Sequence, residues 1–180
     1  MVQSRHRAGS AAQRNFRGTK KGRYFMSKFP DFIDLKTNYK CFRFEKIAVL
    51  KPEPVEIEMI EPSRLNKSGL GPFCKFSIDP KWTAISGIYA LFNSESSEKP
   101  LYIGRTINLH RRFTNDYGSI PTSSRLKKGG QSTNCKINNL IYQENHEGRE
   151  VALYFFQADD IEYILIDKLK PRHNNKRHSK

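Results

Sequence analysis

The sequence predicts an α+β fold in which a small mixed three-stranded sheet is flanked by helices and preceded by a β-rich flank. Two strand-like segments, residues 84–92 and 101–104, lie on either side of a short polar loop, as in a hairpin. A third strand-like segment, residues 149–157, lies between two segments with helical character, 132–146 and 158–169. This order of elements is typical of a small sheet with helices packed on its faces.

The helix ends and the connecting loop are predicted from capping and turn residues. Residues 106–117 are expected to form a helix with Thr106 as its N-cap. A loop rich in glycine, serine and lysine follows over residues 118–131. We expect Ser132 or Thr133 to cap the helix that comes next.

The two ends of the chain are basic. Residues 1–25 contain no acidic residue and show no apolar periodicity, so they are predicted to form a disordered, solvated tail. This tail could contact phosphates, or it could be an organellar transit peptide, and Met26 could even be the true start. Residues 177–180 form a second, short basic tail.

The rest of the chain divides into a flank, residues 26–82, and a main domain, residues 83–176. Strands are expected in the flank over residues 39–50 and 55–60. The flank could serve DNA recognition or dimerisation. It holds most of the acidic residues of the first half, so it is the part least suited to bind DNA through charge alone.

The charge balance points to a polyanionic partner. The chain has 32 Lys and Arg against 18 Asp and Glu, a net charge of +14. Nucleic acid is the commonest partner of such a protein; a merely basic protein and binding to anionic lipid are the alternatives. No apolar run approaches the roughly 20 residues needed to cross a bilayer, so we expect no membrane partner.

The cysteines and histidines indicate a reducing compartment and no transition metal. The three cysteines form no CxxC pair, and the five histidines form no set with metal-ligand spacing. We therefore expect a cytoplasmic protein of bacterial or phage-like type, with organellar targeting by the basic N-terminus left open.

One carboxylate lies in an unexpected place in the last predicted helix. At about 100° per residue, Glu162 falls inside the apolar arc formed by residues such as Ile161, Leu165 and Leu169. A carboxylate there is costly unless it is paired or binds a metal ion. Pairing with an arginine that faces the core is the structural alternative.

The same helical wheel separates two adjacent arginines in residues 106–117. Arg112 flanks the apolar face of this helix, whereas Arg111 points away from it and is expected to be solvated. Tyr89 and Tyr102 are ordinary strand residues on their own. Beside an arginine and a carboxylate, however, a tyrosine hydroxyl can orient a phosphate or relay a proton.

Together these features resemble the GIY-YIG nuclease superfamily over about residues 84–176. The resemblance rests on Gly87-Ile88-Tyr89, on Tyr102-Ile103-Gly104 after a gap of twelve residues, and on the arginine, the late glutamate and an asparagine that follow. It implies five catalytic residues, namely Tyr89, Tyr102, Arg112, Glu162 and Asn174. Residues 129–141 also resemble a stretch of bacterial members, for which we expect fold and loop roles.

The resemblance implies an endonuclease that hydrolyses DNA phosphodiester bonds with Mg²⁺, or Mn²⁺, held by Glu162. Arg112 would bind the phosphate, Tyr89 would contact or deprotonate the attacking water, and Tyr102 would orient water or phosphate. Asn174 would hold local backbone or a water near Glu162. Further contacts to nucleic acid are expected from exposed cations, namely Lys99, Arg105, Arg111, Lys127, Lys128 and Arg172.

Three functions are compatible with this sequence. The first is a restriction-type enzyme acting on duplex DNA, for which a palindromic target would favour a homodimer. The second is a repair or mobile-element nuclease of the same fold. The third is a nucleic-acid-binding module that does not cleave, but a pure binder would not need a carboxylate within an apolar helix face.

Overall fold

The computed structural model describes residues 29–37, 40–95, 99–158 and 160–174. The predicted basic tails, residues 1–25 and 177–180, lie outside the described residues. The strands are β1 Phe32–Lys36, β2 Cys41–Leu50, β3 Glu53–Val55, β4 Phe73–Lys75, β5 Gly87–Asn93, β6 Tyr102–Thr106 and β7 Val151–Phe156. The helices are α1 Leu109–Arg111, continued by a π-helical turn over Arg112–Asp116, α2 Thr122–Arg125, α3 Ser132–His146 and α4 Glu162–Leu169.

The main sheet has five strands in the order β1-β2-β7-β5-β6. The three strands predicted for the main domain are β7, β5 and β6, and the α+β class is confirmed. The predicted number of three strands is wrong, because β1 and β2 of the flank continue the same sheet along β7. The sheet is also antiparallel in each of its pairings rather than mixed.

Two apolar clusters cover the two faces of this sheet. Successive strand residues point to opposite faces, so Ile88 and Tyr89 of β5 belong to different clusters. Helices α1 and α3 pack on the face that carries Tyr89, whereas α4 packs through Leu165 on the face that carries Ile88. The side chains of Tyr89 and Tyr102 therefore lie on the face of the sheet that α1 and α3 cover, next to the edge strand β6.

The helix that follows β6 starts later than predicted. Thr106 is the last residue of β6 and does not cap the helix. Its Oγ1 instead hydrogen-bonds the backbone N–H and C=O of Asn108. Asn108 is the cap, because its Oδ1 accepts a hydrogen bond from Arg111 N at 2.9 Å. The hydroxyl of Thr106 thus forms a turn that precedes the helix and does not cap the helix itself.

Other predicted boundaries also shift. Helix α3 begins at Ser132 with Gln131 at its cap position, so the predicted caps Ser132 and Thr133 are wrong. Helix α4 begins at Glu162 and not at residue 158. The strand predicted over 55–60 is replaced by Glu53–Val55, because only this stretch finds a partner, in β4. Among the described residues, no helix has the length and apolar character required to span a membrane.

Candidate active site

The two motif tyrosines lie on neighbouring strands and face the same side of the sheet. In the β5–β6 register Tyr89 is opposite Gly104, and Leu91 is opposite Tyr102. The ring centroids of Tyr89 and Tyr102 are 6.2 Å apart. A Cβ atom at Gly104 would lie 2.3 Å from the Tyr89 hydroxyl oxygen and 2.9 Å from Cε1 of Tyr102. The glycine of the second tripeptide is therefore required by the tyrosine of the first.

The glycine of the first tripeptide is required by a different neighbour. A Cβ atom at Gly87 would lie 2.5 Å from Cζ of Phe155 and 2.6 Å from the carbonyl oxygen of Phe156. Both residues belong to β7, which pairs with β5. Gly87 thus lets β7 approach closely at the point where the strand carrying Tyr89 begins.

A third tyrosine joins the motif pair. The hydroxyl oxygens of Tyr117 and Tyr89 are 2.6 Å apart and form a buried hydrogen bond. Phe113 packs edge-on against both rings, with centroid distances of 5.0 Å to Tyr89 and 5.4 Å to Tyr117. Nothing in the sequence indicated that the hydroxyl of Tyr117 would meet that of Tyr89.

The π-helical turn over Arg112–Asp116 explains how Tyr117 reaches this position. Tyr117 N donates to the carbonyl oxygen of Arg112 at 3.0 Å, a spacing of five residues. The wider turn brings Tyr117 under Arg112, whose guanidinium carbon lies 5.4 Å from the Tyr117 ring centroid. Turns of this kind are rare and occur frequently at functional sites.

Arg112 keeps donor capacity next to the tyrosines. Its side chain is 31% exposed and binds Asp116 Oδ2 through Nη1 at 3.1 Å. Its Nε atom is buried and has no hydrogen-bond partner among the described residues. Arg111 is 71% exposed, as the helical wheel predicts. Because part of its guanidinium is exposed and lies over the Tyr117 ring, Arg112 is the arginine that can donate to a ligand in this site.

Burial keeps the tyrosines neutral in the free protein. Desolvation raises the pKa of Tyr89 well above its ordinary value, and the neighbouring Tyr117 and Tyr102 add to this effect. The pKa of Tyr102 is raised by burial first, then by Tyr117 and by the negative charge of Glu162. Arg112 opposes both increases. Added positive charge is what would bring either hydroxyl closer to ionisation.

Glu162 is the first residue of α4 and is half-buried. The negative charge of Glu162 contributes to the raised pKa of Tyr102, so the carboxylate acts on the motif tyrosine. The start of α4 is tied to β6 by an ion pair between Arg105 Nη1 and Asp160 Oδ1. Arg105, expected to contact nucleic acid, is thus engaged with Asp160.

Asn174 lies against the strand that carries the second tripeptide. Its Oδ1 accepts a hydrogen bond from Ile103 N at 2.9 Å, and its Nδ2 donates to Ile103 O at 2.7 Å. His173 N also donates to Leu101 O at 2.9 Å, so this segment runs along the open edge of β6. The backbone on either side of Tyr102 is therefore held from outside the sheet.

Two polar residues of α3 support the site and were not predicted as individual site residues. Asn138 is fully buried, and its Nδ2 donates to the carbonyl oxygens of Cys74 at 2.7 Å and of Tyr117 at 2.6 Å. Lys136 Nζ donates to the carbonyl oxygen of His173. Both lie in the 129–141 stretch, for which fold and loop roles were expected.

The remaining predicted cations do not enter the tyrosine site. They are exposed, and Lys127 and Lys128 belong to the loop before α3. Arg172 is in the segment along β6, where its backbone N–H donates to Pro100 O at 3.3 Å. Lys99 lies in the β5–β6 connection.

The donor set near Tyr102 fits a hard divalent cation. The described residues contain no group of three or more His, Cys, Asp or Glu that could hold a metal ion. Glu162 offers a single carboxylate, and Mg²⁺ is often bound through one or two carboxylates while water and substrate oxygens supply its other ligands. Glu162 is therefore the residue that would hold Mg²⁺ or Mn²⁺.

Comparison with known proteins agrees with this geometry. The family model of the GIY-YIG catalytic domain matches residues 85–177, just over half of the 180-residue chain. This match indicates a family of nucleases. The chain belongs to the GIY-YIG family, and the predicted resemblance is confirmed. No curated protein and no solved structure gives a significant match.

Proposed function

We propose that this GIY-YIG protein is a metal-dependent, restriction-type endonuclease that hydrolyses phosphodiester bonds in duplex DNA. One observation carries the proposal, namely that the charges of Arg112 and Glu162 both act on Tyr102, a residue of the edge strand β6. Tyr102 and Arg112 are each half-buried, so that a ligand can reach both side chains. In an in-line displacement at phosphorus, a hydroxyl can orient the attacking water, a cation can stabilise the charge of the phosphoryl group, and a carboxylate can hold a metal ion.

In this proposal Arg112 binds the scissile phosphate. A guanidinium can donate two parallel hydrogen bonds to phosphate oxygens, which both orients the group and offsets its charge. Asp116 holds one end of Arg112, and the ring of Tyr117 lies beneath its guanidinium. The side chain is therefore held in position before the substrate arrives.

The two motif tyrosines take different roles. Tyr102 is the hydroxyl that contacts the attacking water or the phosphate, because Tyr89 is only 1% exposed and its hydroxyl is bonded to Tyr117. Tyr89 and Tyr117 position Tyr102 from behind. The alternative, in which Tyr89 removes the proton from the water, requires nearby positive charge to lower a pKa that burial has raised.

Glu162 would hold a divalent cation at the β6 edge. When bound, Mg²⁺ supplies Lewis-acid stabilisation of the phosphate and the leaving oxygen. Asn174 keeps the backbone at Ile103 fixed, and thereby the position of Tyr102 relative to Glu162. A hydrogen-bonded support of this kind matters because misplacement of a catalytic group by about 1 Å can cost 100-fold in rate.

Nicking of supercoiled plasmid tests the proposal. We expect relaxed and linear DNA with Mg²⁺ or Mn²⁺ and none with EDTA. Cut ends that map to one short sequence support a restriction-type enzyme, whereas ends that map to a damaged or branched structure support the repair or mobile-element alternative. Unchanged plasmid under all conditions, together with binding in a gel shift, contradicts the enzyme proposal and supports a binding module.

The proposal extends to assembly. A palindromic target is matched by a two-fold symmetric protein, so a restriction-type enzyme of this size is expected to act as a homodimer on its site. Light scattering of the protein with and without the mapped duplex measures this. A strictly monomeric complex on a symmetric site contradicts the dimer.

A further inference from the structure

Two loops that are far apart in sequence are joined into one surface. The segment before α3, residues 122–130, consists of α2 and the turn that follows it, and it lies against a segment of the flank. Lys127 N donates to Arg64 O at 2.8 Å, and Asn66 N donates to Arg125 O at 2.8 Å. These main-chain bonds fix the flank segment and the loop to each other.

Buried polar side chains reinforce this junction. Asn66 Nδ2 donates to Ser124 O at 2.8 Å. The guanidinium of Arg125 is buried and donates to Gly69 O at 2.9 Å and to Glu58 O at 2.8 Å. A Cβ atom at Gly69 would lie 2.2 Å from Arg125 O, so the loops are in close contact. The buried and half-buried donors of this junction are satisfied by backbone carbonyls, so the two segments are held together.

The surface of this junction carries four exposed cations, two from the flank segment and two from the segment before α3. We call this surface the two-loop basic patch, defined by Arg64, Lys67, Lys127 and Lys128. None of the four side chains forms an ion pair with another residue in the part of the chain that the structure describes. Their charge is therefore free to meet an external anion.

Helix α3 connects the two-loop basic patch to the tyrosine site. Helix α3 begins directly after the loop, and Asn138 of this helix donates to Tyr117 O at 2.6 Å. One turn into the same helix, Lys136 donates to the carbonyl oxygen of His173, next to Asn174. The segment that carries Lys127 and Lys128 is therefore joined through α3 to the backbone around the tyrosine site.

We propose that the two-loop basic patch binds the phosphate backbone of duplex DNA, so that the flank contributes directly to substrate binding. This inference rests on the proposed function. It reverses the expectation that the flank is the part least suited to bind DNA through charge. The flank is acidic in composition, but the fold places two of its cations, Arg64 and Lys67, beside Lys127 and Lys128. Unpaired cations that contact the phosphate backbone of DNA release condensed counterions, and this release increases the binding affinity.

Paired substitutions with a matched control test the patch. We would compare R64A/K67A and K127A/K128A with K36A/K40A, which removes the same charge from exposed positions at the opposite edge of the sheet. Binding of a labelled duplex is measured in EDTA over a range of salt concentrations. Each patch pair is expected to reduce the slope of log K against log salt by about 1–2, and the control to leave it unchanged.

Cleavage kinetics give a second readout. The patch pairs are expected to raise KM for plasmid nicking and to leave kcat near the wild-type value, because the cations are remote from the reacting atoms. Melting temperatures check that each pair folds. If a pair melts well below the wild type, K67A and K128A replace it, since these exposed side chains bind no described residue.

The outcomes separate this inference from the proposed function. Patch variants that bind and nick like K36A/K40A overturn the patch while the nuclease stands. A wild type that never nicks, but whose salt slope falls in both patch pairs, overturns the nuclease while the patch stands. A wild type that does not bind duplex DNA overturns the patch outright.

Discussion

The hydroxyl of Tyr89 occupies the space in which a side chain at Gly104 would lie. A Cβ atom there would be 2.3 Å from the hydroxyl oxygen and 2.5 Å from Cζ of the ring. The two residues face each other across the β5–β6 pair, one in each motif tripeptide. The tripeptides therefore form one steric unit, in which a change in either residue acts on the other.

Gly104→Ala is expected to push the Tyr89 ring out of place and to weaken its hydrogen bond to Tyr117. Extra atoms in a well-packed region cost about 1–3 kcal/mol of unfolding free energy, and we expect nicking to fall with the loss of geometry. Urea unfolding and plasmid nicking measure the two effects. In a Tyr89→Leu background the same glycine substitution should cost clearly less, and equal costs in both backgrounds contradict the steric link.

The buried tyrosines should make stability depend on alkaline pH. Their pKa values are raised in the folded chain, so the stability they contribute is complete below the ordinary tyrosine pKa of about 10 and declines as pH rises above it, because the unfolded chain loses these protons first. Each such tyrosine contributes up to about 1.4 kcal/mol per pH unit to the decline. Urea unfolding at several pH values above neutrality measures the slope.

Tyr117→Phe is expected to make that decline shallower, because one group with a raised pKa is removed. Tyr163→Phe provides the control, since Tyr163 is exposed in the folded chain. An identical pH slope in the wild type and in Tyr117→Phe contradicts the burial-driven shift. Absorbance of tyrosinate in the same samples reports ionisation directly.

Glu162→Gln is expected to lower the nicking rate by orders of magnitude while the fold and DNA binding survive. Lewis-acid stabilisation lowers the activation free energy by several kcal/mol. Each change of about 1.4 kcal/mol in this quantity changes the rate tenfold. The change also removes a charge that raises the pKa of Tyr102, so the pKa of this hydroxyl should fall.

Asp167→Asn is the matched control for this change, because Asp167 is an exposed carboxylate on the same helix. It should nick at the wild-type rate. Retained nicking in Glu162→Gln removes Glu162 from the site. If Glu162→Gln lowers the free energy of unfolding by about 3–5 kcal/mol, the result supports the structural alternative, in which Glu162 pairs with an arginine.

Asn174→Ala is expected to destabilise the protein and slow nicking together. It leaves the N–H and C=O of the fully buried Ile103 without their partners, which costs about 1–3 kcal/mol for each buried group left unsatisfied. Asn174→Asp keeps an acceptor and loses the donor, so an intermediate effect is expected. Arg172→Ala, in the same segment but exposed, should keep wild-type stability. Equal stability of Asn174→Ala and the wild type contradicts a supporting role.

Local pattern was enough to place Tyr89 and Tyr102 on neighbouring strands and to single out Arg112 and Glu162 on their helices, whereas the roles of these residues were inferred from the resemblance to the family. A strand pair, a helical wheel at 100° per residue and one misplaced carboxylate are all visible within short windows of sequence. Tyr117 was missed as a partner of Tyr89 because its position depends on a π-helical turn, in which residues five apart come together. Such a turn is stabilised by packing against Tyr89, and packing across 28 residues leaves no local signature.

The same limit explains the flank. Its second strand, β2, alternates clearly, but its partner is β7, about a hundred residues later in the chain. Likewise, the pairing of Arg64 with Lys127 is a contact between two turns that each look polar and irregular. Sequence windows indicate which segments can form strands or loops, whereas the choice of partner is decided by the tertiary fold.

The pairing of β2 with β7 has a consequence for protein engineering. A portable cleavage module for fusion to another DNA-reading domain would naturally be cut from this chain at about residue 83. Such a fragment would carry an open strand edge along Val151–Phe156, a template for self-association. A soluble, transplantable module is instead expected to begin at or before Phe32. It then retains β2, which pairs with β7, and β1, which pairs with β2.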